Sequence, residues 1–329
     1  MTGDSLFIFS FSIMLIKKII LNLIIVTVVV LVLDFTIGRT LRHFYFKETS
    51  GFHFRTTYSM EKTEADILVF GSSRANHHYI PEIFEDSLKM TFYNTGRDGN
   101  GIFFQTAVLR SALKRYTPKL IIIDYYGEFA KNEEAYDGLQ SLLPYYRTHE
   151  EIRKFITLKS SFERIKLISE IYPFNSQILS IAIGNLEVNK KRYDDNKGYV
   201  PLYTVWQSKI DTISNYQVYP VDSGKIIALR EFLNLAKKSE IRVLVIYSPI
   251  FQKFEKKQEI EICRDICSIE NVPFWDYSKD TLFLNHSNIF RDVQHLNNNG
   301  AKFFSNLIVN RIKNDLLNAP LNMRVEQKH

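Results

Sequence analysis

The sequence predicts an α/β fold: a doubly wound parallel five-stranded sheet, preceded by an N-terminal transmembrane helix and interrupted by a mainly helical insertion. Three observations predict it. Short, near-continuous apolar runs alternate with stretches of helical spacing, the pattern of a parallel sheet covered on both faces. A long uncharged run stands near the N-terminus, at residues 19–33 (IILNLIIVTVVVLVL). Residues 130–220 break the strand–helix rhythm.

The strands are expected at residues 67–70 (ILVF), 91–94 (TFYN), 120–125 (LIIIDY), 242–247 (RVLVIY) and 272–275 (VPFW). Helical spacing marks residues 101–116, 224–239 and 298–313, with Ser223 as the expected N-cap of the second. Connections between parallel strands then follow right-handed crossovers. The insertion reads as helices joined by polar loops, with Pro144, Pro173 and Pro201 as breakers, and is expected to cover the sheet's carboxyl edge. The chain thus divides into an anchor region (1–39), a linker (40–62), an α/β domain (63–318) and a tail (319–329).

From Ile19 to Gly38 a helix rising ~1.5 Å per residue reaches roughly 30 Å, the thickness of a bilayer core. Lys17 and Lys18 form a basic flank, and no small-x-small cleavage site follows, so a retained single-pass anchor is expected rather than a removed signal peptide. Arg39, Arg42 and Lys47 follow the span, so loop charge alone does not set its orientation. Met14 offers a second start, just ahead of the lysines.

Apolar residues make up 45% and charged residues 24%, enough apolar surface for a sizeable core. The net charge of +6 is dispersed without a basic block, so no nucleic-acid partner is expected. Cys263 and Cys267 lie one helical turn apart with no further ligands nearby. They read as buried side chains, and neither metal nor organic cofactor is implied.

Three loops fall at carboxyl ends of strands or just before a helix, where open α/β sheets bind ligands. Gly71-Ser72-Ser73-Arg74 closes the first strand, and a serine held there between strand and helix has an exposed hydroxyl. The same turn could also cradle a phosphate or simply cap a helix. Asn94-Thr95-Gly96-Arg97-Asp98-Gly99-Asn100-Gly101 follows the second strand. Asp292-Val293-Gln294-His295 precedes the last helix, and a carboxylate three residues before a histidine can bind its Nδ1–H and leave Nε2 free to take a proton. His77 and His78 read as helix surface, and Arg74 as either a substrate contact or the partner of a carboxylate.

These blocks resemble the SGNH/GDSL hydrolase superfamily over roughly residues 65–128 and 240–315. The literal Gly3-Asp4-Ser5-Leu6 precedes the anchor and follows no strand; the family's nucleophile position is Ser73, with Ser72 in place of the aspartate. Asn94 and Gly99 match the spacing of the second block, and Asp292, His295, Leu296, Asn297 and Gly300 match the last. The third block departs: after Gly127, Glu128 stands where the family has an asparagine that donates to the oxyanion. Either another group such as Asn100 substitutes, or catalysis is slow, or the alignment fails there, and Asn100, Glu128 and Arg74 are the candidate oxyanion or substrate-binding residues. The resemblance implies a flavodoxin-like sheet, Ser73 as nucleophile, His295 as general base oriented by Asp292, and an oxyanion site at the N–H groups of Ser73 and Gly99. It implies an esterase or O-acyltransferase acting on acyl esters, acetyl above all, with a cell-envelope glycan as substrate and, for a transferase, a membrane acyl-donor protein as partner. The anchor adds membrane lipid, and the domain is expected outside the cytoplasm. The alternative from another class is a non-catalytic membrane-anchored binding or assembly protein that keeps the fold.

Overall fold

Successive residues of a strand point to opposite faces of a sheet, and β1 (Ile67–Gly71) is buried on both. Leu68 and Phe70 enter one apolar cluster, while Ile67 and Val69 enter the other. The remaining strands, numbered along the chain, are β2 (Phe92–Asn94), β3 (Leu120–Asp124), β4 (Ile213–Ser214), β5 (Arg242–Tyr247), β6 (Lys253–Phe254) and β7 (Phe274–Asp276). Five of them form one all-parallel sheet in the order β2-β1-β3-β5-β7, while β4 and β6 make a separate two-residue parallel pair that the sequence did not signal. The computed structural model describes residues 3–125, 129–131, 136, 138–186, 196–206, 213–214, 218–254 and 257–317.

Helices cover both faces. Against Phe70 and its neighbours pack α5 (Ile102–Leu113) and the helices Ser223–Lys238 and Gln258–Ile269; the last buries Cys263 and Cys267, both free thiols. The other face carries α4 (Pro81–Leu88) and the last helix, Asn298–Ile312, through Phe84, Phe304 and Ile308. The order reverses direction at β1, so β2 and β3 flank it and their carboxyl ends frame a crevice. A short helix, α3 (Ser73–His78), starts there.

Several boundaries differ from expectation for local reasons. Asp222, not Ser223, caps its helix, because its carboxylate accepts the Gly224 N–H at 2.9 Å. The last strand starts at Phe274 because the Val272 N–H bonds back to Cys267 and closes the preceding helix. The expected linker at 40–62 is largely helix: α1 (Gly3–Lys47) continues through it and α2 (Gly51–Glu61) follows. Aromatic contacts hold it on the domain. Tyr45 is buried, stacks on His53 with ring centres 4.5 Å apart, and meets the Tyr145 hydroxyl at 3.3 Å.

The insertion divides. Its helical segments between residues 138 and 186 mainly flank α5 and α1, where Glu151 accepts from Ser111 of α5 at 2.8 Å, while Gly138 at their start lies against Gly99 and Asn100 of the loop after β2. The later segment, residues 196–206, does cross the carboxyl edge. Lys197 O accepts from Asn94 N at 2.8 Å, Asn76 O from Val200 N at 3.0 Å, and Phe290 O from Trp206 N at 2.8 Å. Among the described residues α1 is the one helix long and apolar enough to cross a membrane, and residues 13–33 are exposed on every side.

The turn after β1 depends on Gly71, whose φ of +146° disfavours any L side chain. A Cβ there would sit 2.6 Å from Asp124 O and 2.7 Å from the Ala75 Cβ. Gly71→Ala is therefore expected to cost roughly 2–3 kcal/mol and to lower Tm by about 5–10 °C in detergent. Gly101→Ala, where a Cβ meets nothing within 4 Å, serves as the control and should shift Tm little. Equal shifts in the two variants would contradict this account of the turn.

Candidate active site

The carbonyl of Gly71 accepts the Arg97 N–H at 3.1 Å and the Gln105 Nε2–H at 2.6 Å, which fixes the end of β1 against the loop after β2. Ser72 follows at the N-cap position of α3 without a side-chain cap bond, and Ser73 is the first helical residue. Opposite it stands a loop held in a tight hairpin. Phe290 and Leu296 form an antiparallel bridge, Arg291 N donates to His295 O at 2.8 Å, and Phe251 N donates to Val293 O at 2.8 Å. Asn297 then caps the last helix through the N–H groups of Asn299 and Gly300, both at 3.1 Å.

This packing brings together residues 222 positions apart: His295 Nε2 lies 2.7 Å from Ser73 Oγ. On the other side of the ring, Nδ1 lies 2.8 Å and 2.9 Å from the two oxygens of Asp292. A carboxylate accepts only, so the proton between them sits on Nδ1, and Nε2 is left to accept from the serine hydroxyl. Partial burial alone would raise the pKa of Asp292. The His295 hydrogen bond, the Gln294 N–H and Arg291 together hold it well below the usual carboxylate range instead.

A buried polar network stands behind this pair, and only part of it was legible in the sequence. Arg74, 1% exposed, lies inside rather than at a substrate entrance. Its Nη2 donates to Asp124 Oδ1 at 3.2 Å, its Nη1 to Ser248 O at 3.1 Å, and its guanidinium lies 4.3 Å from the centre of the Tyr247 ring. Asp124 also accepts from the Tyr79 hydroxyl at 3.0 Å. The signal for Asp124 was a lone carboxylate at the end of an apolar strand, which a buried position tolerates only with partners.

His77 and His78 are not helix surface: both are buried, because residues 196–206 cover one and the 290–296 loop the other. His78 Nε2 accepts the Leu296 N–H at 3.0 Å, so its Nδ1–H donates to Ser248 Oγ at 2.9 Å. Burial first, then the Arg74 charge, push His78 well below the ordinary histidine range, so it is neutral. Its ring centre is 6.4 Å from that of His295. His77 bonds Val200 O at 2.7 Å, packs edge-on to His295 at 5.7 Å, and faces Asp98 at 3.5 Å.

The expected oxyanion groups fare differently. Gly99 adopts a φ of +70° on the loop that Arg97 pins to Gly71, two residues from that bond. Asn94 serves that loop, its Oδ1 accepting from Gly96 N at 2.9 Å and its Nδ2 donating to Ala75 O at 2.6 Å. Asn100 is buried with its Nδ2 donating to Asp98 O at 3.2 Å. Gly127 and Glu128 lie outside the described residues. Among the described residues no three His, Cys, Asp or Glu side chains are grouped as a metal site requires.

Asp98 carries a pH signature. Burial would raise its pKa, but His77 and the Asn76 amide, 2.7 Å away, bring it down to about 2 from an ordinary 3.8. A depressed carboxylate stabilises the fold above its unfolded pKa and loses that contribution as pH falls through the folded value. Asp98→Asn should therefore lower Tm at pH 7, and the difference from the parent should shrink as pH falls from about 4 toward 2. A difference that stays constant over that window would refute the assignment.

Searches against protein-family models and curated proteins returned no match.

Proposed function

We propose that the chain is a membrane-anchored serine esterase or O-acyltransferase of SGNH/GDSL type, working through an acyl-serine. The observation that carries this reading is the continuous relay from Ser73 Oγ to His295 Nε2 at 2.7 Å and from His295 Nδ1 to Asp292 at 2.8 Å. A serine hydroxyl becomes an effective nucleophile when a base takes its proton during attack. Here Ser73 Oγ attacks the ester carbonyl while its proton passes to His295 Nε2. Asp292, ionised across the working pH range, stabilises the imidazolium that forms.

The tetrahedral oxyanion is received by the N–H groups of Ser73 and Gly99. His295 returns the proton to the leaving alcohol, and the acyl group stays on Ser73. A second hydroxyl, from water in an esterase or from a sugar in a transferase, attacks the acyl-serine with His295 again as base. Acetyl esters of cell-envelope glycans fit this chemistry and a domain outside the cytoplasm, held by α1. Asn100 favours the alternative, a non-catalytic envelope protein of the same fold. Its amide donor is turned to Asp98 O, and loss of one oxyanion donor typically lowers rate roughly 100- to 1,000-fold.

Turnover of a small acetyl ester near neutral pH separates the two. Ser73→Ala should abolish it, His295→Ala should reduce it roughly 10²- to 10⁴-fold, and Ser72→Ala should keep most of it. The Ser73→Ala, His295→Ala double variant should be little worse than Ser73→Ala, since residues acting as a unit are non-additive. Wild-type rates in Ser73→Ala would remove the nucleophile assignment. An inactive wild type, across acyl donors, favours the binding protein.

A further inference from the structure

We propose that Phe162, Ile165 and Ile168 of the insertion rest in the lipid surface of the membrane that α1 crosses, giving the domain a second membrane contact. The argument starts at Asp34, the first charge after the apolar run. Its carboxylate accepts from Ser169 Oγ, from Glu170 N at 2.7 Å and from Ile171 N at 3.3 Å. One turn further on, Gly38 lies so close to Glu170 that a Cβ there would be 2.3 Å from the Glu170 carbonyl carbon. Residues 169–171 are therefore locked to α1 where its exposed apolar part ends.

From that point the domain grows away from the apolar segment. The chain runs on to Phe174, whose ring lies 5.7 Å from that of Tyr45, and Arg42 donates to Pro144 O at 3.1 Å. The lock at Asp34 is thus the membrane-proximal end of the domain. Directly before it, the segment 162–168 turns Glu163 and Leu167 inward and leaves three large apolar side chains outside. Ile168 is 74% exposed, Ile165 64% and Phe162 62%.

Their spacing of three places them along one side of a single helical turn and its flanks. Exposed Arg164 and Lys166 alternate with them, the composition of a segment lying at a headgroup boundary. Bilayer is the occupant because the lock fixes this face beside the exit of the span. A soluble partner would have to displace lipid to reach it.

The test uses the full chain in vesicles of phosphatidylcholine and phosphatidylglycerol. Ile165→Cys and Ile168→Cys each take an environment-sensitive fluorophore, with Leu282→Cys, exposed on the opposite layer, as control. Cys263 and Cys267 are buried, and unlabelled parent protein checks that they take no dye. Doxyl-labelled lipid should quench the two insertion sites about threefold more strongly than the control, and iodide on both sides of the bilayer should quench them less. Gly38→Leu, which forces Glu170 off α1, should abolish the excess lipid quenching while α1 stays inserted. Quenching equal to the control overturns the proposal. So does shielding from iodide without lipid quenching, which would mean a protein covers the face; a disulfide between two Ile165→Cys chains would identify it as a second copy.

Discussion

The carboxylate of Asp124, withdrawn from water at the end of β3, is the constraint around which the candidate site is arranged. A buried charge of this kind requires a close counter-charge and further hydrogen bonds, and Arg74, Tyr79 and the Ser248 N–H supply them. Removing one partner of such a pair typically costs roughly 3–5 kcal/mol. Arg74 is the residue after Ser73, so meeting the needs of Asp124 also sets the rotation of α3 and the direction of the serine. From Arg74 the network passes to Ser248 and His78, then to the Leu296 N–H, one residue from His295. The two halves of the Ser73–His295 contact are held by the same buried framework.

The adjacent His77 and His78, with ring centres 5.7 Å and 6.4 Å from that of His295, play different roles. His78 accepts a backbone N–H and stays neutral, so it adds no charge beside the His295 imidazole. His77 sits between Val200 and Asp98, whose depressed pKa keeps a negative charge near the loop that bears Gly99. His77 depends on residues 196–206 lying across the sheet edge, and His78 on the 290–296 loop. The insertion also supplies the lock on α1 at Asp34, so it joins the end of the apolar helical segment to the crevice.

The sheet was legible because strands covered on both faces are written as continuous apolar runs, and four of the five began and ended within one residue of expectation. Ser73, Asp292 and His295 were legible because each has a local signature: a turn after a strand, and a carboxylate three residues before a histidine. What holds them was not. Arg74 and Asp124 are 50 positions apart, and neither shows its partner locally. The burial of His77 and His78 comes from distant segments, which helix geometry alone could not supply. Residues 40–62 lack a clear apolar period, and their helices are stabilised by long-range aromatic contacts such as Tyr45 with Tyr145. The N-cap was misplaced by one residue because Asp222 and Ser223 are both good caps.

A relay poised for proton transfer differs from a merely hydrogen-bonded serine in one measurable respect, its reactivity toward an electrophilic phosphorus. Treatment of the folded full-length protein with a fluorophosphonate, followed by peptide mass spectrometry, reads that reactivity without knowledge of the natural substrate. The proposed chemistry predicts one phosphonylated peptide, modified at Ser73, with labelling lost in Ser73→Ala and strongly slowed in His295→Ala. Labelling at another serine, or an unreactive Ser73 in a protein whose Tm confirms that it is folded, would contradict it.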